Sequence, residues 1–427
     1  MWNYLFRTVM RCNHSLELLD HHKQLLTPSQ QMAYSSEVRA LRALFYYQLM
    51  DLFARVPLVT NTETAVERVQ PRSRSEIFRF VMDELQAALP HLSAAHSNFL
   101  GNHYGRLTRP VAQFLLARLA LNAEVYMDDD WTDSTRPNGG SIRFAVGEKS
   151  LNAWQTVVAY TDSLAASGYA LEPSYAANFA VANEHSQENI FTIPMDKTLY
   201  ANSFKNLFRT LHYIHGGALA RGAENGSSAT RTTLTAFGYA TPAQDPRFAL
   251  NFFADTVKVD GRTLKQADGE ALVYHPEAIR LQLTGSEYEK TAGARMYKYE
   301  IDRTAYDDGK LQNNDIVLYR YADALLMRAE AQIRQGASGD AALNAVRARV
   351  GLPALSGATL EDVLKERLLE LVWEGTHRQD LVRFHRFHLP YEERPQLEKE
   401  ANAYTTVFPI PARSLQMNRL LKQNPGY

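Results

Sequence analysis

The sequence predicts a mainly α-helical fold: a helical scaffold at both ends of the chain around an irregular, loop-rich insert with a few short strands. Three observations predict it. Apolar residues recur every three or four positions in the N-terminal third, and the same spacing returns in the C-terminal third. Between them, over 128–298, the periodicity weakens and turn dipeptides such as Asn138-Gly139, Asn225-Gly226, Asp260-Gly261 and Asp268-Gly269 punctuate short segments. The chain is therefore read as an N-terminal scaffold over 1–127, an insert over 128–298, and a C-terminal scaffold over 299–427 that closes the same single domain.

Each element has a local cause. Trp2-Asn3-Tyr4 opens the first scaffold helix. Thr27-Pro28-Ser29-Gln30 supplies an N-cap hydroxyl, a proline at the first helical position and a glutamine three residues after the cap, so a second helix starts there. Its apolar face is Val38, Leu41, Leu44, Phe45, Leu49, Leu52 and Phe53, and Pro57, with no amide hydrogen to donate, is expected to stop it. Ser73-Arg74-Ser75-Glu76 is a second capping box, opening a helix through Phe78, Val81, Leu85 and Leu89. Pro110 marks the first turn of the next, with Val111, Phe114, Leu115 and Leu119.

Inside the insert one helix is expected over 151–167, and Lys258-Val259-Asp260-Gly261-Arg262-Thr263 reads as a small hairpin. Helical spacing returns at Tyr321, Leu325, Ala329 and Ile333, then at Leu343, Val346 and Val350. Thr359 with Asp362 caps a last long helix through Val363, Leu364, Leu368, Leu371 and Val372. Small residues at the contacts, such as Ala322, Ala329 and Ala331, point to tetratricopeptide-like helical hairpins, although no repeat consensus is legible.

Composition excludes several classes. With 46 basic and 47 acidic residues in 427, the chain lacks the basic excess of a nucleic-acid binder. A single cysteine, Cys12, rules out an intrachain disulfide; it is read as a small buried residue rather than a lipid anchor. No run of 18 or more apolar residues occurs, so no helical membrane span is expected. The first residues lack the charged, apolar and small-residue regions of a signal peptide.

The C-terminal third carries three ordered motifs. They are Asn313-Asn314-Asp315-Ile316-Val317-Leu318-Tyr319-Arg320-Tyr321-Ala322-Asp323, then Ala345-Val346-Arg347-Ala348-Arg349-Val350-Gly351-Leu352, then Glu366-Arg367-Leu368-Leu369-Glu370-Leu371-Val372-Trp373-Glu374-Gly375 with Arg378 and Asp380 following. The chain closes on Phe408-Pro409-Ile410-Pro411 and Gln423-Asn424-Pro425-Gly426-Tyr427. Arg39 to Tyr47 with Val56-Pro57-Leu58-Val59, and Asp245-Pro246-Arg247, add two further marks.

This combination resembles the SusD/RagB family, surface nutrient-binding lipoproteins that partner outer-membrane transporters. The resemblance implies a tetratricopeptide-like scaffold whose insert carries the ligand surface. It implies capture of an oligosaccharide, or less often a peptide, at the cell surface. The implied partner is a SusC-like TonB-dependent transporter, over whose mouth such a protein forms a lid. Attachment to the outer membrane through an N-terminal lipid is implied too, and the chain is expected to be a truncated form that begins after that anchor. Thr376-His377 departs from the bulkier or basic residues typical of the family at that point.

Enzymatic chemistry finds no support. Arg367, Glu370, Glu374 and Arg378 are spaced to share a helix face and are read as a salt-bridge ladder, Arg367 to Glu370 and Glu374 to Arg378. Carboxylates matched to arginines stay ionised and cannot serve as the proton donor of a glycosidase pair. His212 and His215, like His385 and His388, have a three-residue spacing but no glutamate of a zinc helix. Asp128-Asp129-Asp130-Trp131-Thr132-Asp133 is oxygen-rich, yet lacks the order of a calcium loop, so no cofactor and no metal ligand are expected. Val146-Gly147-Glu148-Lys149-Ser150 lacks the glycine spacing of a phosphate loop.

Binding finds more. Most of the 22 tyrosines, 19 phenylalanines and 4 tryptophans are packing residues, as Tyr46, Tyr47, Phe114, Tyr321 and Trp373 are by their helical spacing. Trp131, Tyr200, Phe204, Phe208, Tyr213 and Tyr239 instead lie in irregular sequence among polar neighbours. An aromatic face covers the C–H face of a sugar while amides, carboxylates and guanidiniums meet its hydroxyls. The expected ligand-binding set is Asp130, Trp131, Tyr200, Phe204, His212, Tyr213, Arg221 and Asn225, with no catalytic residue. A helical-repeat adaptor for another protein is the alternative from periodicity alone.

Overall fold

In the computed structural model, which describes residues 1–65, 68–133, 135–199, 210–219, 222–305, 312–392 and 394–427, the chain begins in α1 (Trp2–His21). Trp2, Leu5, Val9 and Cys12 are buried at intervals of three and four, which fixes one face of α1 against α2 (Pro28–Phe53). The Thr27 hydroxyl accepts the Gln30 amide at 3.2 Å and the Gln30 side chain accepts the Thr27 amide at 3.0 Å, so the predicted capping box starts α2. Pro57 is not what stops it. The helix closes at Phe53, where Ala54 turns to a φ of 56°, and Pro57 lies beyond in β1 (Val56–Pro57), paired with β2 (Pro71–Arg72).

The Ser73–Glu76 box opens α3 (Arg74–Ala88), which packs on α2. Next come α4 (Arg109–Leu121), buried along nearly its whole length, and the short α5 (Ala123–Tyr126). Strands β3 (Arg143–Val146) and β4 (Lys149–Asn152) form a hairpin around Gly147, the false phosphate loop of the sequence. They lead into α6 (Ala153–Ala166), capped by Asn152.

The insert then becomes irregular. Its elements are β5 (Asn189–Ile193), α7 (Tyr213–Ala218), α8 (Arg231–Ala236), α9 (Phe248–Asn251), β6 (Phe252–Phe253) and β7 (Asp255–Thr256). The predicted hairpin follows as β8 (Lys258–Val259) and β9 (Arg262–Thr263). After it β10 (Val273–Tyr274) pairs antiparallel with β7, and β11 (Arg295–Met296) with β6.

The scaffold resumes at β12 (Ile316–Arg320), antiparallel to β5 with Val317 opposite Thr192 and Arg320 opposite Asn189. Asp315, just before it, is fully buried and accepts from Tyr104 Oη at 2.6 Å, Thr192 Oγ1 at 3.0 Å and the Met195 amide at 2.9 Å. That motif therefore ties the start of β12 to β5 and to the loops at Tyr104 and Met195. β12 runs directly into α10 (Tyr321–Arg334), followed by α11 (Asp340–Arg349), α12 (Leu360–Leu371) and α13 (His377–Arg383). α10 packs on α4, α6, α11 and α12, so α6 joins the scaffold although it stands inside the insert in sequence. The chain end folds back on α2: Asn424 Nδ2 donates to the Phe53 carbonyl at 3.0 Å and Arg378 pairs with Asp51 at 2.8 Å.

The charges of the C-terminal motifs are structural, but their pairing differs from the expected ladder. α12 ends at Leu371 and Trp373 takes a φ of 68°, so Glu374 and Arg378 leave that helix face. Glu370 instead meets Arg320 at 2.8 Å, Arg247 at 2.9 Å and Arg349, while Arg320 holds Glu374 at 2.8 Å and Glu188 at 2.5 Å. Arg247, fully buried, is gripped by Asp245 at 2.7 Å and Glu366 at 2.7 Å. Arg367 pairs with Asp323 at 2.8 Å and Asp380 at 2.9 Å, and Arg383 with Glu330 at 2.7 Å. Charges this deep are costly unless they are matched and hydrogen-bonded, as those of this cluster are.

Candidate ligand-binding site

Of the eight residues singled out by the sequence, Tyr200, Phe204 and Arg221 lie outside the described residues, as does Phe208. Asp130 is exposed, and its Oδ1 takes the Thr132 amide at 3.2 Å and hydroxyl at 2.7 Å. Trp131 is not an open platform. It is 4% exposed, packs with Ala54 and Val407, and has the Arg55 guanidinium 5.2 Å from its ring. A large ring gains more from burial against these apolar neighbours than a loop position in sequence reveals. Tyr239 is also drawn inward, 5.0 Å from Phe248, with its hydroxyl on Asp255.

The neighbouring acid run is occupied by its own turns. Asp128 takes the Asp130 amide at 2.9 Å, Asp129 the Ser75 amide at 2.8 Å, and Asp133 the Thr135 amide at 2.8 Å. Among the described residues no group of three or more His, Cys, Asp or Glu is placed to hold a metal ion.

His212, Tyr213 and Asn225 do come together. The Asn225 amide donates to the Leu211 carbonyl at 3.0 Å, bringing that turn back against the start of α7. His212 is the N-cap of α7: its Nδ1 accepts the Ile214 amide at 3.2 Å, and its own amide donates to Tyr274 Oη at 2.8 Å. His215, one turn on, shares the same Tyr274 hydroxyl at 3.1 Å. Tyr274 is fully buried in a small core with Val257 and Leu272, against which Ile214 packs. The base is thus rigid, and Tyr213 stands on it with 53% of its surface exposed. Beside it, Asn225 Oδ1 is buried without a hydrogen-bond partner.

Two cations bear on His212. Arg295, from β11, lies under Tyr274 with its guanidinium carbon 5.1 Å from the ring. Burial, then Arg295 and Lys290, push the His212 imidazole below its usual value; burial, then His212, bring His215 down to about 4. Both rings are therefore neutral near pH 7 and offer hydrogen bonds rather than charge. Tyr274 and Arg295 were missed by sequence reading, because they sit on two-residue strands with no periodicity to flag them.

The carboxylates that invited a catalytic reading are unsuited to proton transfer. Burial opposes the charge on Glu370, yet Arg349, Arg320 and Arg247 together hold it well below the usual carboxylate range. Glu374 is buried too, and Arg320 and Lys298 lower it in the same way.

Two family models cover the chain. One, described as SusD family, matches residues 124–427; the other, described as starch-binding and associating with the outer membrane, matches residues 1–121. The chain belongs to the SusD family. It is 22% identical to the starch-binding protein SusD of Bacteroides thetaiotaomicron, over 94% of this chain and 74% of that protein. SusD-like protein P38 of Formosa agariphila is 22% identical over 90% of this chain and 71% of its own length.

Among solved structures, a laminarin-binding SusD-like protein superposes with a TM-score of 0.72 at 22% identity, covering 100% of this chain and 85% of that one. Surface glycan-binding protein A from Bacteroides thetaiotaomicron, in complex with laminarihexaose, gives 0.70 at 20% identity with the same coverage. The expected tetratricopeptide-like scaffold of this SusD-family chain is thereby met, and these likenesses speak to the fold. No described helix is long and apolar enough to cross a membrane.

Proposed function

We propose that this SusD-family chain is a non-catalytic capture protein for nutrient oligosaccharides at the outer surface of the outer membrane. It works without a cofactor and hands its ligand to a SusC-like TonB-dependent transporter, held at the membrane by an N-terminal lipid. The observation that carries the reading is Tyr213, an exposed ring on the rigid His212–Tyr274 base, with the unpartnered Asn225 oxygen beside it. Such an exposed ring on a rigid base meets the apolar face of a sugar. The absence of catalysis is supported by the saturation of Glu370 and Glu374 with cations. Affinity is expected to be modest, because a ligand held too tightly is not released to a transporter.

The test is calorimetric titration of the chain with starch- and laminarin-derived oligosaccharides and with acidic glycans, alongside Tyr213→Ala and a product assay. Saturable binding that weakens at least tenfold in Tyr213→Ala, with no shortened product, is the expected result. Hydrolysis of any of these glycans, or full affinity retained in Tyr213→Ala, is the result that sinks the reading.

A further inference from the structure

Arg295 differs from the other buried arginines. Arg247, Arg320, Arg349, Arg367 and Arg383 each face at least two carboxylates. Arg74, which makes no direct ion pair, still has Asp51 and Asp128 within its field. Arg295 is 2% exposed, and among the described residues no carboxylate lies within ion-pair distance of it. Its Nη2 donates to the Lys290 carbonyl at 3.0 Å and its Nε has no partner. Of the acids bordering this region, Asp255 accepts the Tyr239 hydroxyl at 2.6 Å and Glu289 the Gly285 amide at 3.0 Å, while Glu224 and Glu287 stand beside Asn225 and near Lys290 in sequence.

A buried cation without a counter-ion is costly, and while most deep charges of this fold are matched, this one is left open against the His212–Tyr274 base. The second observation is independent of it. Between Asp196 and Glu224 the sequence holds Lys197, Lys205, Arg209 and Arg221, a basic excess of two over 196–224 in a chain whose overall charge is −1. Lys290, exposed, adds a further positive charge that reaches His212.

We propose that the ligand of this site is an acidic oligosaccharide, one bearing carboxylate or sulfate groups. Arg295 and Lys290 supply its counter-charge while the exposed Tyr213 ring receives its sugar face. The inference rests on the capture reading above and narrows its ligand class. Arg295 acts from behind the Tyr274 ring as a fixed positive field, and Lys290 acts from the exposed side.

The experiment compares three probes of matched length by calorimetry: laminarihexaose, a sulfated laminarihexaose and hexagalacturonate. At least one acidic probe is expected to bind roughly tenfold or more tighter than laminarihexaose, a preference that shrinks as salt is raised. Which acidic probe wins distinguishes sulfate from carboxylate. Arg295→Gln is expected to abolish the preference, Arg295→Lys to keep part of it, and Lys290→Gln to reduce it. If Arg295→Gln does not fold, Lys290→Gln and the salt series decide. Laminarihexaose binding as tightly as both acidic probes overturns the charge inference and leaves glycan capture standing. Binding of none of the three overturns both.

Discussion

At the scale of the residue, Trp131 and Tyr213 look alike in sequence, each an aromatic in a loop beside polar neighbours, and the fold gives them opposite roles. Trp131 closes a small core with Ala54 and Val407, so Trp131→Ala is expected to cost about 3–5 kcal/mol of stability and leave ligand binding intact. Tyr213→Ala should change stability by no more than ~0.5 kcal/mol while weakening binding. Urea unfolding and calorimetry on the two variants separate the roles; a ligand effect from Trp131→Ala alone would reverse the assignment. Glu370 sits among three guanidiniums, and Glu370→Gln leaves their charge uncompensated, at a cost of about 3–5 kcal/mol in the same unfolding experiment. A loss under 1 kcal/mol would mean the cluster relaxes around the change.

At the scale of the element, what was legible is what local chemistry determines. The capping boxes at Thr27, Ser73 and Thr359 and the Lys258–Thr263 hairpin could be read because their signals lie within a few residues. Thr359→Ala should accordingly cost about 1 kcal/mol, with the loss seen as a lower urea midpoint at unchanged slope. What could not be read depends on distant partners. α12 was expected to pair its charges along its own face. Trp373 at positive φ ends that face, and the partners come from β12, α11 and Asp245-Pro246-Arg247. The site shows the same limit: His212, Tyr213 and Asn225 were found through composition and turns, but Tyr274 and Arg295 lie about 60 and 80 residues on. Asp130 and Trp131 were grouped with them, yet they sit against the end of α2.

At the scale of the whole molecule, the buried charges make stability depend on pH. Burial works against ionisation of Asp323 and Glu330, but their arginine partners prevail and bring both carboxyls to about 2. These values lie below those of an unfolded chain, near 4, so the stabilisation is full above about pH 5 and is lost as pH falls toward 2. The melting temperature should therefore drop steeply between pH 5 and pH 3, and a flat profile over that range would contradict the assignment. The same charges have another consequence. Glu188 and the Asp245–Arg247 pair are bolted into the cluster on either side of the stretch that carries Tyr213, and no described residue from 196 to 244 contributes a charge to it. Among the described residues, the intervening segment thus stands apart from the charge cluster that anchors both its ends. On the capture reading proposed above, its described residues can be exchanged to alter ligand choice without unsettling the charges that hold the scaffold.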